Sequence, residues 1–155
     1  MRIIGFNFTK INAAKLKDSS TAKVDIKSNI HISSIEKAES DLLKDETVIS
    51  IDFEYTIDYN PDFAKLSFEG KILVVTDETN GKEILDLWSS EKGINPKIRP
   101  LVFNSIFTRS NIRALDLEQE INLPPHIPLP RISADSLQDT NSQNPTEQKS
   151  ETSSE

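Results

Sequence analysis

From Ile49 to Tyr59 the chain reads ISIDFEYTIDY, and large apolar side chains alternate with polar ones without interruption. Ile49, Ile51, Phe53, Tyr55, Ile57 and Tyr59 fall on one side; Ser50, Asp52, Glu54, Thr56 and Asp58 fall on the other. A period of two over this length is incompatible with an amphipathic helix and predicts a strand with one buried and one solvated face. Such a face belongs to an antiparallel sheet, because the strands of a parallel sheet are apolar on both sides. The rest of the chain must therefore supply partner strands and something to cover one face.

Three further stretches have strand periodicity. IIGFNFTKI places Ile4, Phe6 and Phe8 together, and AKVDIKSNIHISSI places Val24, Ile26, Ile30 and Ile32 together. Ile35 breaks that parity, so Ser33–Ser34 is read as a bulge or bend. AKLSFEGKILVV carries Leu66, Phe68, Ile72 and Val74, with Gly70 at a point of close approach. Two helices follow. The first is expected over NGKEILDLWSSEKG, with Asn80 and Glu83 at capping-box spacing, an Ile84–Leu87–Trp88 stripe and a stop at Gly93. The second is expected to begin at Asn95–Pro96 or at Pro100 and to run to Glu120. Its apolar arc is wide enough for two surfaces, the sheet and another for which a subunit interface is one candidate. INLPPHIPLPRI then carries Pro124, Pro125, Pro128 and Pro130, which exclude a helix or a central strand and favour an extended path. Strands before helices give an α+β fold: a four-stranded antiparallel sheet, two helices and a C-terminal proline-rich extended segment. The folded domain is placed at 1–132. Residues 133–155, rich in Ser, Thr, Gln and acid, are expected to be a disordered acidic tail.

A net charge of −7 argues against nucleic acid as a partner. No cysteine is present, so disulfides and thiolate metal sites are excluded. MRIIGFNFTKIN lacks the pattern of a signal peptide and no apolar run reaches transmembrane length, which predicts a cytoplasmic protein without stable membrane insertion. No phosphate-binding glycine loop occurs. His31 lies on a polar strand face and reads as solvated, while His126, among prolines, reads as an orienting group. Asp52, Glu54 and Asp58 read as a solvating row. Arg99, Arg109 and Arg113 read as ion-pair partners for acids such as Asp116, and Trp88 reads as core. The chain is accordingly expected not to be an enzyme and to use neither cofactor nor metal.

The stretches FNFTKI, VDIKSNIHI, VISIDFEYTIDY and FAKLSFEGKILV, followed by NPKIRPLVFNSIF and the ending INLPP, resemble the SecB protein-export chaperones. They also resemble the SecB-like proteins of archaea and of some toxin–antitoxin systems. The ending here is richer in proline, and LVVTDETNGKE stands where the export chaperones have an aromatic and glycine-containing stretch. The resemblance implies an ATP-independent holdase, a homodimer or homotetramer that binds unfolded or exported polypeptides in apolar grooves. A translocation component or an antitoxin would be a further partner. It implies peptide contacts at Phe53, Phe68, Leu73, Val75, Phe107 and Leu129, and a subunit interface at Leu101, Phe103 and Ile106. The alternative is a structural or adaptor protein whose apolar surface is closed within the oligomer.

Overall fold

A computed structural model describes residues 1–18, 23–39 and 46–130; the expected tail at 133–155 lies outside them. Four strands, β1 (Arg2–Lys15), β2 (Asp25–Ala38), β3 (Thr47–Asn60) and β4 (Ala64–Thr76), precede helices α1 (Glu78–Glu91) and α2 (Arg99–Glu120). All pairings are antiparallel, in the spatial order β1-β4-β3-β2. β2, β3 and β4 form a meander, and β1 returns beside β4 as in a Greek key. The chain leaving β1 crosses the sheet end at the β3–β4 turn, where the Leu16 N–H donates to the Phe63 carbonyl at 2.9 Å. The expected α+β architecture is the observed one.

The alternation in β3 is realised residue by residue. Its odd positions are buried from Thr47 to Tyr59, whereas Ser50, Asp52, Glu54, Thr56 and Asp58 are half-exposed. Lysines of β4 meet the acidic row across the strands, Lys71 at 3.4 Å from Asp52 and Lys65 at 3.5 Å from Asp58. Asp52 and Asp58 are thus paired on a solvated face, while Glu54 stands opposite Glu69. In β2 the register slips between Ile32 and Ser34, which returns Ile35 to the core as the sequence suggested. β1 differs from expectation. Register slips after Ile3 and Phe8 turn Ile3, Phe6, Phe8 and Ile11 toward the helix-covered side and leave Ile4 exposed. Bulges on an edge strand are common because only one neighbour constrains the register. Gly70 lies on the buried face beneath Phe53; a Cβ there would stand 2.6 Å from the ring and 2.7 Å from the Asn7 carbonyl oxygen. The close approach read from this glycine is therefore made by an aromatic side chain, with Phe6 and Phe8 flanking the same ring.

α1 starts earlier than expected. Asp77, not Asn80, is its cap: the Asp77 carboxylate accepts from the Asn80 N–H at 2.9 Å, and these hydrogen bonds hold its carboxyl below the usual carboxylate range. Strand β4 ends at Thr76, so Asp77 is the first residue free to take the extended cap conformation. Glu83 instead binds Lys97 at 2.8 Å. α2 begins at Arg99 with Pro100 in its first turn, where the missing N–H has no intrahelical acceptor to lose. Val102, Ile106, Ser110, Ala114 and Glu118 form its buried stripe.

Candidate functional site

A four-stranded sheet is about 14 Å across between its outer strands, and a helix is about 10 Å wide. α1 packs over β2 and β3 and α2 over β4 and β1, and α2 leaves a flank on either side. Asn111 and Glu118 turn toward β3, where the Tyr55 hydroxyl donates to Asn111 Oδ1 at 2.7 Å and the Tyr59 hydroxyl to Glu118 Oε1 at 2.7 Å. Arg109 turns toward β1 and stacks over Phe6 at 4.7 Å.

The β3 flank is filled by the chain itself. Asn122, with φ 54°, reverses the path after α2, and the Leu123 N–H donates to the Glu118 carbonyl at 2.8 Å. Leu123 is buried, and the Pro124 carbonyl oxygen lies 2.9 Å from the Tyr59 hydroxyl, whose single proton is shared between it and Glu118. His126 Nδ1–H then donates to Glu118 Oε1 at 2.6 Å, and the His126 backbone N–H to Glu118 Oε2 at 3.3 Å. The second ring nitrogen lies 3.0 Å from Asn111 Oδ1, the same oxygen that accepts from Tyr55. The side chains of His126 and Glu118 are only 3% and 1% exposed. A buried carboxylate in contact with an imidazole and a phenol is a concentrated polar site inside an otherwise apolar layer.

The sequence placed His126 in an orienting role but could not name its partners. One signal was readable: Glu118 continues, at four-residue spacing, the otherwise uncharged stripe of Val102, Ile106, Ser110 and Ala114. A glutamate on the buried stripe of a helix needs a partner.

Burial raises the Tyr59 phenol well above its usual range, with the Glu118 hydrogen bond and charge acting in the same direction; burial also raises Tyr55. A phenol that is harder to ionise in the fold contributes stability below the unfolded value of about 10, and that contribution is lost as pH rises beyond it. Urea unfolding between pH 8 and 12 should show this loss. Tyr59→Phe should remove part of the alkaline slope; an unchanged slope would contradict the coupling.

The β1 flank is open. Phe8, Arg109, Ile112, Arg113 and Asp116 line a groove of about 550 Å³. Ile112 is 67% exposed, and Arg113 pairs with Asp116 at the rim. β1 is an edge strand, with Ile4 and Ile11 exposed on it.

The expected peptide contacts divide. Phe53, Phe68 and Val75 are buried in the sheet, Leu73 is half-buried on the opposite side from α2, and Phe107 and Leu129 are 41% and 45% exposed. Of the interface candidates, Ile106 is buried beneath α2, whereas Leu101 and Phe103 are half-buried against the core. His31 is exposed and stands opposite Glu54. Trp88 packs partly buried against the core. Among the described residues no group of three or more His, Cys, Asp or Glu side chains is placed to hold a metal ion, and no helix is long and apolar enough to cross a membrane.

This chain is remotely similar in structure to a SecB-like chaperone. That protein is Rv1957 of Mycobacterium tuberculosis, in complex with a ChAD peptide from the antitoxin HigA1. The two are 16% identical, with a TM-score of 0.47 over 85% of this chain and 90% of the other. No family model matches the sequence, and neither does any curated protein.

Proposed function

We propose that this chain is an ATP-independent holdase that acts in the cytoplasm as a homo-oligomer and binds unfolded polypeptides without catalysis. The observation that carries this reading is the open apolar groove between α2 and β1, beside an unpaired strand edge. An extended client can add main-chain hydrogen bonds to the edge while its apolar side chains enter the groove, a mode with little sequence preference. Phe8 and Ile112 would line the contact. Phe107 and Leu129, exposed on the β3 side of α2, stand apart from that groove and are not needed for this contact. Phe53 and Phe68 would support it from within, because reaching them requires opening the sheet, whereas Val75 faces the other side of the sheet, as Leu73 does.

Aggregation of a chemically denatured client, followed by light scattering at equimolar protein without nucleotide, tests the reading. Protection is expected, and Ile112→Asp should abolish most of it while changing stability by no more than about 0.5 kcal/mol, as at other exposed positions. Absence of protection together with absence of apolar-dye binding would sink the proposal. Multi-angle scattering should give a mass of at least two chains. An oligomer that neither protects a client nor binds dye would instead favour the structural adaptor, its groove closed by another copy.

A further inference from the structure

The segment that fills the β3 flank has the contacts of a bound peptide more than those of a fold element. It contains no helix or strand, and Pro124, Pro125, Pro128 and Pro130 have no N–H with which to join a ladder. Its hold comes from one buried apolar side chain, Leu123, and from the polar cluster at His126. Beyond His126 the contact thins: Ile127 is half-buried, and Pro128, Leu129 and Pro130 are exposed. Release would break no hydrogen bond within the segment itself, so such an opening can occur without unfolding the sheet.

The receptor side belongs to β3 and α2. The Tyr59 hydroxyl lies between Glu118 and a peptide carbonyl and shares its one proton between them, Glu118 offers its carboxylate to a backbone N–H and an imidazole, and Asn111 Oδ1 faces the far ring nitrogen. Tyr55 and Tyr59 anchor Asn111 and Glu118 from the sheet, so this arrangement is held independently of the segment.

We propose that residues 122–130 are a releasable internal occupant of a peptide site on the β3 flank of α2. The site accepts in trans an extended segment of the same chemistry, an aliphatic residue followed three positions later by histidine. The proposal is independent of the holdase reading, which concerns the opposite flank.

The chain has no cysteine, so Leu129→Cys in the full chain gives a single attachment point for a nitroxide at an exposed position. Its spectrum should show an immobilised component. Excess synthetic peptide NLPPHIPLP should convert that component to a mobile one, and the peptide with alanine in place of histidine should be weaker by about tenfold or more. His126→Ala in the labelled chain should mobilise the label with the circular dichroism of the fold retained. If that variant does not fold, displacement by peptide on the parent chain still decides. A label already mobile at the outset, no displacement at saturating peptide, or equal potency of the two peptides would each overturn the proposal.

Discussion

Replacing Glu118 with alanine is expected to lower the free energy of unfolding by about 3 kcal/mol, because it removes the shared acceptor of several buried donors. The side chain accepts from Tyr59, from the His126 ring and from the His126 backbone N–H. Removing it leaves those donors inside a site that is almost closed to water, and an unsatisfied buried group costs about 1–3 kcal/mol. Urea unfolding should show a lower midpoint at an unchanged denaturant slope, since the surface exposed on unfolding is nearly the same. His126→Ala should also destabilise. The double variant should lose less than the sum by about 0.5–3 kcal/mol, because either change already breaks the same contact. A loss below about 1 kcal/mol for Glu118→Ala, or strict additivity, would show that the cluster is solvated.

The second large effect separates two phenylalanines that the sequence treats alike. Phe68→Ala should cost about 4 kcal/mol, as large-to-small changes at fully buried aromatics do. Phe68 is completely buried, with Phe8 and Tyr55 packed 5.8 and 6.1 Å away between ring centroids. Phe107 touches Tyr55 edge-on at 5.8 Å but is 41% exposed. Phe107→Ala should therefore cost no more than about 1–1.5 kcal/mol, the scale of one aromatic pair. Thermal melts of the two variants measure the contrast directly. Comparable losses at both positions would mean that α2 packs more tightly over β3 than the exposure of Phe107 indicates.

Much of the fold was legible because side-chain alternation is a local code. Ile49 to Tyr59 could have only one register of faces, and the parity break at Ile35 announced the bulge at Ser33–Ser34. The helix end at Glu120 was likewise marked by its local context, an apolar repeat running into the Leu-Pro-Pro segment. β1 was misread for a related reason. The pattern Ile4, Phe6, Phe8 is regular in sequence, but bulges change parity, and they are defined only by the register with β4, more than fifty residues away.

The candidate sites were less legible. Counting apolar residues could not separate Phe68 in the core from Phe107 at the surface, because both lie on faces of the expected period. The partners of His126 could not be assigned from spacing, since nothing local decides that Asn122 turns the chain back along α2. The sequence by itself determined which residues share a strand face, where the helices can run and that the proline segment must be extended. The tertiary structure decided the strand order β1-β4-β3-β2, the pairing of Glu118 with His126, and which flank of α2 is filled and which stays open. Periodicity constrains the backbone within one element, whereas those choices depend on the width of a helix against a sheet and on contacts between distant residues.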